Sequence, residues 1–286
     1  MPLGLKIMLN LVSGYTEWLK KLKCPVFNVI NWTLDDIIWL FNYFMKITEE
    51  LRSKIARLPR GYVFTYSDFM IEVKSKDSTI KALNRMAKSG EINKLSKGNF
   101  YKPKKSKFGA LEPSHEQIVK DLLEKDSKLT GYLTGLSIYN QLGLTSQNSY
   151  IIEIGKNTPK TTLTRGIFKV KFVLQKNKIT KANIYQLQLL DSLKNIKKIP
   201  DTTNQDAIKR LKSLIKGLEQ SAIELLITLS LKYPPSTRAL LGAVLEDLKF
   251  NHSSLLKLRN SLNSISIYKN YSIASVIKSA TKWGVE

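Results

Sequence analysis

The stretch from Ser75 to Lys107, SKDSTIKALNRMAKSGEINKLSKGNFYKPKKSK, constrains the fold more than any other. Ile80, Leu83, Met86 and Ala87 recur at three- and four-residue spacing, so they share one face of a helix that can pack on a core. Ser78, Lys81, Arg85 and Lys88 fall on the opposite face. Ser89-Gly90 stops the helix, Ile92 and Leu95 alternate with polar residues, Ser96-Lys97-Gly98 supplies a turn, and Phe100-Tyr101 begins a returning strand. From Lys74 to Lys107 eleven Lys or Arg stand against two acids, Asp77 and Glu91. Such a one-sided surface calls for an anionic partner.

The preceding residues complete a familiar order. Thr48 suits an N-cap, and Ile47, Leu51, Ile55 and Leu58 form an apolar stripe that Pro59 ends. Tyr62-Val63-Phe64 is strand-like, and Thr65 with Asp68 three residues later opens a second helix running to about Val73. Residues 45–103 are therefore expected to form a winged helix-turn-helix that binds DNA. In its third helix Arg85 is the base-reading candidate, because a guanidinium can bind guanine O6 and N7 bidentately. Ser78, Thr79 and Lys81, near the helix start, suit phosphate or mixed contacts, and Lys88 extends the same basic face. Lys97 and Asn99 flank Gly98 at the wing tip, in reach of the minor groove or backbone. A solvated helix face carrying lysines for solubility is the competing explanation, but the basic residues continue through the wing instead of alternating with acids.

Residues 104–113, basic and containing Pro and Gly, read as a linker, and an α+β domain is expected over 114–250. Ser114 caps a helix spanning Glu116 to Glu124, and Gly135 to Leu142 is a second short helix. Period-two patterns at Tyr150–Ile154, Ile167–Val173 and Ile184–Leu187 predict strands. Beyond Pro200 the chain reads as helical, with breaks at Pro234-Pro235 and around Asn251, and 251–286 as a helical tail. The fold class expected is α+β, an N-terminal winged helix followed by a mixed domain with a helical C-terminal part. Between Lys156 and Lys181 lie eight Lys or Arg and no acid. Lys156, Lys160, Arg165, Lys169 and Lys171 could form a second DNA-binding surface, but solvated strand lysines would produce the same pattern.

A formal net charge of +23 over 286 residues makes polyanions the leading partners: nucleic acid first, with an anionic membrane and an acidic protein behind it. The single cysteine, Cys24, excludes an internal disulfide and fits a reducing compartment, and two histidines are too few for most zinc chemistry. No charge-free apolar run approaches about eighteen residues, so a soluble cytoplasmic protein is expected. Residues 1–44 carry three of the four tryptophans and little charge, and are read as a non-native or accessory extension before a start at Met45; the other reading is an amphipathic helix pair that docks on a partner. Glu153 and Lys156 resemble half of a metal nuclease site, but no neighbouring aspartate completes it. With no phosphate loop or nucleophile elbow, a non-enzymatic protein without metal or cofactor is expected.

Three blocks, Leu58-Pro59-Arg60-Gly61-Tyr62-Val63-Phe64-Thr65-Tyr66-Ser67-Asp68-Phe69, Ala82 through Ile92, and Leu95 through Pro103, resemble the AbiEi-like antitoxins of bacterial type IV toxin-antitoxin systems. Thr130-Gly131, the run from Tyr139 to Gln147 with its Gly143-Leu144-Thr145 turn, Arg165-Gly166, and Pro234 through Gly242 are also similar to that family. The resemblance spans about residues 45–250. It implies an operator-binding winged helix that represses its own operon, with DNA contacts at Ser78, Thr79, Lys81, Arg85 and Lys97. It also implies a second domain needed to neutralise a nucleotidyltransferase toxin. The alternative is an interaction protein whose basic second domain grips an acidic toxin or RNA without sequence-specific DNA binding.

Overall fold

The computed structural model describes residues 47–69, 76–107, 109–126, 128–250, 253–269 and 271–286. The expected extension over 1–44, the start at Met45 and the end of a helix at Val73 lie outside the described residues. The chain divides into two compact units, one comprising residues up to Leu58 with Tyr66–Lys88, the other Pro59–Thr65 with Ser89–Glu286.

In the first unit, α1 (residues 47–57) buries Ile47, Leu51 and Ile55, the stripe that the spacing predicts. Thr48 lies inside this helix and is not its cap, since residue 47 is already helical. On the solvent side Lys54 pairs with Glu50 one turn earlier, at 2.9 Å. A 3-10 turn at Tyr66–Phe69 stands where an α-helix was expected to open. The unit ends with α2 (Lys76–Lys88).

The second unit opens with an antiparallel sheet in which β3 (Asn99–Tyr101) lies between β1 (Val63–Thr65) and β2 (Asn93–Ser96). Phe64 and Phe100 are register partners and stack at 6.4 Å. The expected linker is a hairpin instead, β4 (Lys104–Ser106) with β5 (Gly109–Leu111). Next comes α3 (His115–Leu123), whose cap is Ser114, its side chain accepting from the Gln117 amide. This helix anchors the sheet: Gln117 Oε1 accepts from the Val63 amide, while Lys120 donates to the Val63 carbonyl and covers the Tyr62 ring.

After a two-residue-strand hairpin, β6 (Glu124–Lys125) with β7 (Lys128–Leu129), come β8 (Tyr132–Thr134), α4 (Leu136–Gln141), β9 (Ile151–Lys156), β10 (Leu163–Arg165) and β11 (Phe168–Leu174). They form a mixed sheet in the order β10-β11-β9-β8, with β9 and β11 parallel. The alternation predicted for β9 and β11 is present: Ile152, Ile154, Phe168 and Val170 are buried, Ile151 and Lys169 exposed.

The predicted strand at Ile184–Leu187 is instead the first turn of α5 (Ile184–Lys194). Four residues cannot separate a period of two from one of 3.6, and the outcome is set by flanking chemistry. Thr180 and Asn183 form a reciprocal capping box, and Leu187, Leu190 and Leu193 carry the buried stripe onward. Four helices follow: α6 (Asn204–Lys216), α7 (Gln220–Ser230), α8 (Pro235–Asp247) and α9 (Ser253–Asn260). The interruption at Pro234-Pro235 is where it was expected, with Pro235 as first residue of α8. Among the described residues of the tail, α9 and a 3-10 turn at Thr281–Trp283 are helical and the others are turns and irregular chain, closed by a bridge between Tyr268 and Val285. The whole is α+β with a helical C-terminal region.

Candidate nucleic-acid interface

The basic face of α2 follows from its wheel. Ala82, Leu83 and Met86 are buried, and Lys81, Arg85 and Lys88 are exposed on the other side. Arg85 Nη2 donates to the Thr48 hydroxyl on α1 at 3.3 Å, which orients the guanidinium and leaves most of its five N–H groups for a ligand. Ser78 and Thr79 do not lie on the exposed face where they were expected. They are 7% and 0% exposed, so neither is placed to touch a phosphate. The buried arc is centred on Thr79, Ala82, Leu83 and Met86 rather than on Ile80 and Ala87, which are half-buried. Small hydroxyl residues can enter a core when bonded, and apolar spacing alone gave no sign of the rotation.

At the β2–β3 turn, Lys97 is exposed and Gly98 adopts φ +80, a conformation open to glycine. Asn99 differs from its expected role: its amide donates to Ser96 Oγ at 3.0 Å and weakly to the Lys97 carbonyl, so it closes the turn. Lys97 is left as the ligand-facing residue of this hairpin.

The five cations of the expected second surface do not share a face. In the β9–β11 register, Lys169 and Lys171 stand level with Ile151 and Glu153, while Lys156 is level with Leu174 on the other side of the sheet. The same alternation puts Glu153 and Lys156 on opposite faces, so they cannot build one metal-nuclease site. Among the described residues no group of three His, Cys, Asp or Glu is placed to hold a metal ion.

Lys156 is only 9% exposed, and its ammonium donates to Thr130 Oγ1 at 3.2 Å. That hydroxyl in turn donates to the Leu122 and Leu123 carbonyls at the end of α3, where a cation is favoured. Burial, then the charge of Lys160, pulls the Lys156 pKa below its ordinary 10.5. Lys160 lies over the Phe172 ring at 5.4 Å.

Arg165 is spoken for as well. Its guanidinium takes both Asp121 oxygens, at 2.5 and 2.6 Å, and the Ile118 carbonyl at 2.6 Å. Burial pushes the Asp121 pKa up, but the Arg165 hydrogen bonds and charge outweigh it and hold the carboxyl below 3.8. A folded value below the unfolded one means stability present above about pH 4 and lost as pH falls through the folded value. Asp121 is 55% exposed, so water screens the pair. Arg165→Ala is expected to cost about 1–2 kcal/mol at pH 7. Urea unfolding should show this difference shrinking at pH 3; a gap equal at both values would contradict the assignment.

One constellation has no counterpart in the sequence reading. Asp191, in the middle of α5, is 5% exposed and accepts from three hydroxyls: Tyr132 at 2.7 Å, Thr134 at 2.8 Å and Tyr233 at 2.8 Å. Gln175 Nε2 donates to both tyrosine oxygens at 2.9 Å. The signal that could have found it is a lone acid among leucines, in Leu189-Leu190-Asp191-Ser192-Leu193.

These features define an α+β protein whose helix α2 carries an exposed basic face and whose β2–β3 turn carries an exposed lysine. The chain belongs to a family of unknown function, DUF6088, whose model matches residues 47–223, more than half its length. A search of curated protein sequences finds no match. In fold the chain is similar to the crystal structure of the RV2827C protein from Mycobacterium tuberculosis, with a TM-score of 0.53 and 14% identity, over 78% of this chain and 84% of that one. At that identity the likeness is one of fold. Among the described residues no helix is long and apolar enough to cross a membrane.

Proposed function

We propose that this protein is a DNA-binding transcriptional autoregulator that acts as the antitoxin of a type IV toxin-antitoxin system, countering a nucleotidyltransferase toxin in the cytoplasm. The observation that carries the DNA-binding part is the sidedness of α2, with Lys81, Arg85 and Lys88 exposed and the opposite face buried. The order of helix, short strand, helical turn, helix and β-hairpin supports this reading, since a winged helix-turn-helix has the same order and places its third helix in the major groove. Arg85 then reads a guanine, and Lys81 and Lys88 hold phosphates; Lys97, in the second unit, offers a further cation for the DNA backbone. The antitoxin part rests on the resemblance of residues 45–250 to the AbiEi-like family.

The test is binding to the DNA upstream of the protein's own gene. Arg85→Ala should lose about 1–3 kcal/mol on the cognate duplex and little on a scrambled one, whereas Lys81→Ala should weaken both alike and lower the salt slope by about one. Equal losses on both duplexes for Arg85→Ala would remove the base-reading role. Co-expression with the product of an adjacent nucleotidyltransferase gene tests the antitoxin part, and growth arrest that this chain does not relieve would refute it.

A further inference from the structure

Where β11 ends and the chain turns toward α5, an open cleft of about 590 Å³ is lined by Asn157, Leu174, Gln175, Lys176, Lys178 and Lys232. Lys176 and Lys178 project from an extended segment, and Lys232 follows the end of α7; all three are exposed. Among the described residues no carboxylate lies within 4.0 Å of any of these three ammoniums. The polar contact that Lys232 makes is a 3.5 Å approach to the Lys176 carbonyl.

The floor beneath them is fixed. Asn157 Nδ2 donates to the Gln175 and Asn177 carbonyls at 2.7 and 2.6 Å, and Asn177 Nδ2 to the Leu229 carbonyl at 3.0 Å. The Gln175 amide is engaged by the two tyrosines above Asp191. A hydrogen-bonded floor therefore underlies three cations that line one cleft without a counter-charge, an arrangement that attracts an anion. The lining has no arginine fork and no aromatic ring, so it offers point charges to phosphates but nothing that would read or stack on a base. An open cleft also suits a strand running across it better than an enclosed small molecule.

We propose that this cleft binds the sugar-phosphate backbone of DNA without reading its sequence, a role that rests on the DNA-binding function proposed above. The test follows the affinity of the full chain for a scrambled 20-base-pair duplex between 50 and 200 mM salt. Lys176→Gln, Lys178→Gln and Lys232→Gln are combined in one variant. A control variant removes the same charge elsewhere, through Lys125→Gln, Lys216→Gln and Lys257→Gln, and unchanged melting temperatures confirm that both fold.

Three lost phosphate contacts should flatten the logarithmic salt slope by about 2.7, equivalent to about 40-fold less loss of affinity over that fourfold salt range. The control should change it by less than one. A cleft variant with the control's slope would overturn the proposal, whether the cleft then serves an acidic protein or nothing. The helix reading fails by a different result, a chain that binds cognate and scrambled duplexes equally.

Discussion

Asp191→Ala is expected to destabilise the second unit by about 2–5 kcal/mol, because it leaves the buried Tyr132 and Thr134 hydroxyls without their acceptor at about 1–3 kcal/mol each and Tyr233 with only a 3.4 Å contact to the Leu187 carbonyl. Tyr132, Thr134 and Tyr233 come from β8 and from the loop before α8, and all converge on one carboxylate of α5. Removing the acceptor therefore releases a strand and a loop together. Asp191→Asn should be much milder. Its oxygen can replace Oδ2 for Tyr132 and Thr134, and its amide can donate to Tyr233, whose own hydrogen can turn to the Leu187 carbonyl at 3.4 Å.

Both variants also lose the pH dependence of the carboxyl. Burial raises the Asp191 pKa above 3.8, against the pull of its three hydroxyl bonds. A raised folded value means that its contribution is fully present below the unfolded pKa and lost as pH rises through the folded one. Asp191→Asn removes that dependence, so its stability relative to the unaltered protein should improve as pH rises above about 4. Thermal unfolding at several pH values measures this; an alanine variant as stable as the asparagine one would show that the three bonds carry little.

Gly242→Ala is the second large effect. Within a helix, alanine for glycine ordinarily gains about 1 kcal/mol. Here an added Cβ would sit 2.3, 2.4 and 2.5 Å from three ring atoms of Trp283. The indole cannot slide away cheaply, since its Nε1 donates to Glu246 Oε2 at 2.7 Å and Arg259 lies over its ring at 4.6 Å. Trp283 is buried, and its displacement should cost about as much as Trp283→Ala, roughly 3–5 kcal/mol. The net expectation is a loss of about 2–4 kcal/mol and early proteolysis after residue 260. In a Trp283→Ala background the same substitution should cost nothing or stabilise, and additive losses would refute the clash.

Much of the architecture is carried by local pattern. The stripe of α1, the three cations exposed on α2, the Ser114 cap, the proline break before α8 and the alternation of β9 and β11 each depend on residues within one or two turns of each other. Where local pattern was ambiguous, it failed for physical reasons. Ile184–Leu187 was too short to show its period, and the linker's Pro and Gly punctuate a hairpin as readily as a domain boundary. The tail is held by the Trp283 contact and the Tyr268–Val285 bridge, neither of which leaves a periodic trace.

Composition and spacing establish that this chain is basic and α+β, with cations on the face of α2 opposite its apolar stripe. Tertiary structure alone decided which of those cations are free. Lys156 is indistinguishable from Lys176 and Lys178 in the sequence, yet the first is buried against Thr130 and the latter two meet no carboxylate among the described residues. Net charge is a property of composition, but a charge becomes available to a ligand only when no neighbour, often tens of residues away, already holds it.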